Sequence, residues 1–163
     1  VNLCKDEKVR ASVAVAAHDS TLTYGELDSL SNALAHRLVK GGVEKGDVIT
    51  VYAHRSPAVV VGIIGIMKAG AAYSMIDPQY PTDRIEACLK IAQPTAWLAI
   101  EDAGAPPDDL KTILDNFGFV TRVVLPPVKA DALQRFLKDE KQDAPPEDRQ
   151  AQPDDIAVVT FTS

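Results

Sequence analysis

Three histidines, His18, His36 and His54, recur at intervals of eighteen residues, too far apart for a pair of imidazoles to share one helical turn. A zinc site needs a tighter spacing, so these side chains read as surface or strand-end residues. Gly41 and Gly46 have the gap of a phosphate-binding P-loop, but Asp47 stands where that loop needs lysine, and a carboxylate there repels phosphate. No G-x-G-x-x-G run occurs. Cys4 and Cys88 are remote from each other and form no C-x-x-C or zinc spacing, which excludes a disulfide scaffold and fits a reducing, cytoplasmic compartment. Cys88 shares the apolar side of its helix with Ile85 and Leu89, a core position rather than a nucleophile. His54 and Arg55 follow a strand, and ligands of open α/β sheets bind beyond strand carboxyl ends. A structural ion pair or a cap on the sheet accounts for Arg55 equally well.

The elements that must carry these residues follow from the apolar pattern. The chain has 163 residues, 46% hydrophobic and 25% charged, the balance of a folded domain. Its net charge of −6 leaves no basic surplus to neutralise phosphates, which excludes nucleic-acid binding. Val59 to Met67 is an apolar run of nine residues; a spanning helix needs about 20, so no membrane role is expected. Ser12 to Ala16, a turn at His18-Asp19-Ser20 and Thr21 to Thr23 predict a small hairpin. Thr23 and Glu26 have capping-box spacing before the amphipathic series Tyr24, Leu27, Leu30, Leu34 and Leu38, which Gly41-Gly42 ends.

Further strands are expected at Val48 to Tyr52, Ala72 to Ile76, Ala96 to Ile100, Arg122 to Leu125 and Ile156 to Phe161. Helices are expected from Ser56-Pro57 to Gly70, from Pro81 to Ala92, near Asp108 to Asn116 and over Ala130 to Lys138. The run Val59 to Met67 is apolar all round, which predicts burial on most sides. Strands alternating with helices make this an α/β chain with a mostly parallel sheet and flanking helices. Between Lys138 and Asp155, ten of eighteen residues are charged and three are proline, the composition of a solvated loop (138–155) feeding the last strand.

Three clusters, in order, carry a resemblance. Leu22-Thr23-Tyr24-Gly25-Glu26-Leu27 is similar to the first core motif of adenylate-forming enzymes. Met67-Lys68-Ala69-Gly70-Ala71-Ala72-Tyr73, continuing through Ile76-Asp77-Pro78-Gln79-Tyr80-Pro81 to Arg84, resembles the second, and Asp155 to Ser163 the opening of the third. The run Ala53-His54-Arg55-Ser56-Pro57 and the Ser74-Met75-Ile76-Asp77-Pro78 variant most resemble the fungal L-2-aminoadipate reductase branch. Capping alone accounts for Thr23 and Glu26. A helix end accounts for Lys68 and Gly70, and a turn before a helix for Asp77 to Pro81. The first two motifs are therefore expected to be architectural.

The resemblance implies the N-terminal portion of the large lobe of an adenylation domain over residues 1–163. Its third motif continues in the family as a Gly- and Ser/Thr-rich loop that holds the triphosphate of ATP on backbone N–H groups and hydroxyls. Thr162 and Ser163 match its first two residues; two polar residues at a strand end are the plain alternative. No catalytic residue and no metal ligand is assigned. The implied cofactors are ATP and Mg²⁺ for adenylation, with phosphopantetheine and NADPH acting in other domains of an aminoadipate reductase. The implied partners are a small carboxylic or amino acid substrate and a carrier domain of the same chain. The chain closes inside a strand, so we expect a piece of a longer protein, marginal in folding and inactive on its own. An adenylation domain of a nonribosomal peptide synthetase, an acyl-CoA ligase, or a non-catalytic α/β binding module are the competing readings. Downstream sequence separates them: a terminal reductase domain, a condensation domain, or no lysine-bearing glycine loop.

Overall fold

Strands rich in Val, Ile and Ala that are buried on both faces must lie inside a sheet covered by helices on either side. The computed structural model describes residues 6–18, 20–128 and 132–162 and has this arrangement. A short helix α1 (Glu7–Ala11) precedes an antiparallel hairpin, β1 (Val13–Ala16) with β2 (Thr21–Thr23). Then follow α2 (Tyr24–Lys40), β3 (Val48–Tyr52), α3 (Pro57–Lys68), β4 (Ala72–Ile76), α4 (Thr82–Ala92), β5 (Ala96–Ile100), α5 (Asp108–Asn116), β6 (Thr121–Leu125), α6 (Ala132–Leu137) and β7 (Val158–Val159). The five strands β3 to β7 form one parallel sheet in the order β6-β5-β3-β4-β7.

Strand periodicity divides the core in two. Ile49 and Val51 of β3 and Ala96, Leu98 and Ile100 of β5 face a core shared with α2, α3 and α6. Tyr52, Trp97 and Ala99 face the opposite core, closed by Ile85, Cys88 and Leu89 of α4 and Leu110 and Leu114 of α5. Cys88 is thus a core residue, as its position in the helical pattern implies. On this second side the register partners Thr50 and Ser74, both fully buried, satisfy one another through hydroxyls 2.9 Å apart.

Local signals set the element ends. Thr23 accepts a hydrogen bond from the Glu26 N–H at 3.2 Å, and Glu26 Oε2 accepts from the Thr23 N–H at 2.8 Å, so the capping box is complete. The Ser56 hydroxyl caps α3 by accepting from the Ala58 N–H at 3.2 Å, with Pro57 at the first helical position. Gln93 adopts φ 46° and stops α4 before Pro94.

Gly41-Gly42 ends α2 as expected, with Gly42 at φ 97°. Three expectations need correction. In α3 the buried residues are Ala58, Val61, Gly62, Gly65 and Ile66, one stripe of a helix lying on the sheet beside α2. Val59, Val60, Ile63 and Ile64 are half-buried and Met67 is exposed, because the flank away from α2 and the sheet has no layer above it. The last strand pairs only at Val158 and Val159; Ile156 lies outside the ladder and is 70% exposed, since β7 has a strand partner on one side only among the described residues. The segment 138–155 is largely exposed, as its composition requires, but it is tied along α2 and the α2–β3 turn and contains a turn of 3₁₀ helix at Glu147–Arg149. The expected helix start at Ala130, like Cys4 and Asp19, lies outside the described residues.

Candidate functional site

The carboxyl ends of β3 and β4 open onto a cleft of about 480 Å³ lined by Ala53, His54, Arg55, Val59, Met75, Asp77 and Tyr80. Its walls are two turns. After β3, the Ala53 N–H donates to the Ile76 carbonyl at 3.2 Å, and the Ser56 cap begins α3 at once, so His54 and Arg55 occupy the short connection at the sheet's rim. After β4, Asp77 Oδ1 accepts from the Gln79 N–H at 2.9 Å and the Asp77 carbonyl accepts from the Tyr80 N–H at 3.0 Å. This side-chain turn fixes the path into α4.

His54 Nδ1 lies 3.6 Å from Asp77 Oδ1, both side chains being nearly half exposed. Arg84 stacks its guanidinium 4.2 Å from the centre of the Tyr80 ring. Beneath them, burial raises the Tyr52 phenol above its ordinary pKa, with the Asp77 charge adding to the shift. The exposed cationic Arg55 and the imidazole beside a carboxylate suit recognition of a polar or anionic ligand group. The cleft's lining brings together one imidazole, one carboxylate, one guanidinium and one phenol.

The residues of the second and third motifs are brought together by strand pairing. The second motif forms the end of α3, all of β4 and the turn into α4; the third forms β7, which lies beside β4 with Tyr73 opposite Val158 and Ser74 opposite Val159. Phe161 packs against the second core, whereas Thr162 is exposed past the carboxyl end of β7. Ser163 lies outside the described residues. Thr23 and Glu26 of the first motif form the cap of α2.

Lys68 has a larger structural part than a helix-end charge. Its ammonium donates to Asp28 Oδ1 at 2.7 Å, to the Asp28 carbonyl at 3.1 Å and to Asn32 Oδ1 at 2.7 Å, stapling the end of α3 to α2. Asn32 Nδ2 then donates to the Gln142 carbonyl at 2.9 Å, which carries the staple on to the segment 138–155. Sequence reasoning missed this network. Its only signal was that Asp28 and Asn32, four apart, share one helix face.

The three histidines go to separate places: His18 near the hairpin turn, His36 Nε2 against the Asp143 carbonyl at 3.1 Å, and His54 in the cleft. Among the described residues no group of three His, Cys, Asp or Glu side chains could hold a metal ion, and no helix is long and apolar enough to cross a membrane.

Comparison with known proteins places this geometry among relatives. Residues 5–163 match the model of the AMP-binding enzymes. L-2-aminoadipate reductase of Schizosaccharomyces pombe is 48% identical over 96 residues, 59% of this chain and 7% of that protein. Malpinin synthetase of Mortierella alpina is 33% identical over 157 residues, 96% of this chain and 2% of that protein. The chain therefore spans a small part of the curated relatives it matches. Among solved structures, apo MatB from Rhodopseudomonas palustris superposes with a TM-score of 0.78 at 20% identity, over 99% of this chain and 31% of MatB. The anthranilate CoA ligase AuaEII, solved with anthranoyl-AMP, gives a TM-score of 0.79 at 16% identity, over 96% of this chain and 29% of that one.

Proposed function

This chain belongs to the AMP-binding, adenylate-forming enzyme family, and on that premise we propose that it is the first part of an adenylation domain in an ATP-dependent carboxylate-activating enzyme. In the reaction proposed, a substrate carboxylate oxygen attacks the α-phosphorus of ATP in line. An acyl adenylate forms and pyrophosphate leaves. Positioning and neutralisation of charge provide most of the rate in such phosphoryl chemistry.

The observation that carries the proposal is the placement of Thr162, exposed past the carboxyl end of a parallel strand whose neighbour β4 leads into the cleft. An exposed hydroxyl at such a position fits a phosphate chain. Thr162 and Ser163 are proposed to open that phosphate loop. Mg²⁺ would neutralise phosphate charge when bound, and no group of three His, Cys, Asp or Glu side chains among the described residues could hold it.

For the parent protein we propose an L-2-aminoadipate reductase, which passes the acyl group to a phosphopantetheine thiol on a carrier domain and reduces it with NADPH. The identity of 48% to the S. pombe enzyme supports this. A peptide-synthetase adenylation domain is the second reading, favoured by the match to malpinin synthetase along nearly the whole chain. Because the chain corresponds to about a third of MatB, we propose that it does not adenylate by itself.

Pyrophosphate exchange tests all of this. The full-length protein carrying this sequence should exchange pyrophosphate into ATP when given 2-aminoadipate, and the 163-residue chain should stay at background. Exchange supported only by another amino acid would favour the peptide-synthetase reading. No exchange with any carboxylate would overturn the enzyme assignment, and clear activity of the short chain would overturn its proposed dependence on the rest.

A further inference from the structure

The strand β7 has only two register pairs, Tyr73 with Val158 and Ser74 with Val159, plus the Tyr73 N–H donated to the Ala157 carbonyl at 3.1 Å. So short a ladder fixes register weakly, and a slip of one residue turns every side chain to the opposite face. For this strand a slip would lift Phe161 out of the second core and turn Thr162 toward it.

The segment just before β7 is held far more firmly than the strand itself. The Arg149 guanidinium donates to the Val43 carbonyl at 3.1 Å, and the Lys45 ammonium donates to the Gln150 carbonyl at 3.0 Å. Lys45 also pairs with Asp155 at 3.2 Å. Asp155 closes its own turn, its Oδ2 accepting from the Gln152 N–H at 2.7 Å while its N–H donates to the Gln152 carbonyl at 3.0 Å. The floor under the segment is Gly70, with φ 80°, where an added Cβ would come 2.9 Å from the Arg149 carbonyl oxygen. Gly70 is in turn joined to the Lys45 turn, its carbonyl accepting from the Gly46 N–H at 2.8 Å.

We propose that Lys45, Gly70, Arg149 and Asp155 form a register clamp that sets how β7 is laid against β4 and thereby which side of the sheet Thr162 presents. They are positioning residues for the ATP phosphate loop and touch no substrate. The inference rests on the reading of Thr162 as the start of that loop. It also gives the charged, proline-containing segment a task that its composition does not suggest: two cations and one carboxylate hold Arg149, Gln150, Gln152 and Asp155 in place ahead of the strand.

The test uses the full-length protein and two readouts. Lys45→Met keeps the aliphatic stem of a surface residue and removes both of its bonds to the segment. Amide hydrogen exchange of residues 157–161 should rise about tenfold, while β3 and β5 stay unchanged. KM for ATP in pyrophosphate exchange should rise about three- to tenfold with KM for the carboxylate substrate unchanged, and Lys45→Arg should restore both readouts. Asp155→Asn should show the same pattern at smaller amplitude. Unchanged exchange of residues 157–161 in both Lys45→Met and Asp155→Asn would overturn the clamp, whatever KM does. Faster exchange with an unaltered KM for ATP would leave the clamp standing and overturn the assignment of Thr162 to ATP.

Discussion

Replacing Lys68 by methionine separates an architectural lysine from a substrate-binding one. The methionine keeps most of the apolar stem and removes the ammonium, and with it three hydrogen bonds to Asp28 and Asn32. A hydrogen bond to a charged group is worth about 1.5–3 kcal/mol net. The side chains of Lys68 and Asp28 are 25% and 29% exposed, so water can re-solvate part of what is lost. Asp28 also retains Arg10 at 3.6 Å. The sum therefore falls to about 2–3 kcal/mol, well above the 0–1 kcal/mol of a surface ion pair. The urea dependence of amide hydrogen exchange in α2 and α3 of the full-length protein measures it. Asp28→Asn with Lys68→Met should show a coupling energy of about 1–2 kcal/mol. In the full-length protein, KM for ATP should not change beyond what lost stability explains. A loss below about 0.5 kcal/mol, or a selective rise in KM for ATP, would refute the staple.

Two further outcomes follow from the buried hydroxyls and from Asp155. Thr50→Val leaves the Ser74 hydroxyl without its partner inside the core and should cost about 1–3 kcal/mol. The double variant Thr50→Val with Ser74→Ala should cost less than the two single changes together, and additive urea midpoints would contradict the pairing. The Asp155 carboxyl is held below its ordinary range by the Gln152 N–H and then by Lys45. A depressed carboxylate stabilises the fold fully above its unfolded pKa of about 4, and that support is lost as pH falls through the folded value. Amide exchange over 150–157, corrected for intrinsic rates, should therefore be flat above pH 5 and accelerate in the acid range. Asp155→Asn should remove that step; an unaltered acid response in the variant would assign it elsewhere.

The legible parts of this chain are those whose cause lies within a few residues. Thr23 and Glu26 are three apart, Ser56 and Pro57 adjacent, and the strands at Val48 to Tyr52 and Ala96 to Ile100 need only their own apolar runs; each is readable from the sequence and each is present. Lys68 reaches Asp28 across 40 residues and Lys45 reaches Gln150 across 105. No periodicity connects such pairs, because a hydrogen bond between remote turns depends on how the sheet brings the turns together. The same reason hides the tethering of 138–155. Composition states correctly that the segment cannot be core, and is silent on which carbonyls it offers to which cations. The cleft sits between these cases. His54 and Arg55 were placed at a strand end by the sequence, while Asp77 and Tyr80 on the opposite wall followed only from β4 lying beside β3.

Topology explains why the cleft and Thr162 fall near one end of the sheet. Steps from β3 to β4 and from β6 to β7 run in one direction along the strand order and cross by α3 and α6 on one face. Steps from β4 to β5 and from β5 to β6 run the opposite way and cross by α4 and α5 on the other face. Opposite directions on opposite faces give every crossover the same hand, as the right-handed rule requires. The connection after β3 therefore leaves toward one face and that after β4 toward the other, and the two turns must part. A crevice at the carboxyl ends of β3 and β4 is the consequence, and His54, Arg55, Asp77 and Tyr80 line it. The long return from β6 places β7 parallel to β4, so its carboxyl end emerges at this same rim. Moving Thr162 away from the cleft would take a change of strand order, whereas turning it to the wrong face takes only a slip of one residue. That difference is why register, rather than placement, is the quantity this sheet has to secure with side chains.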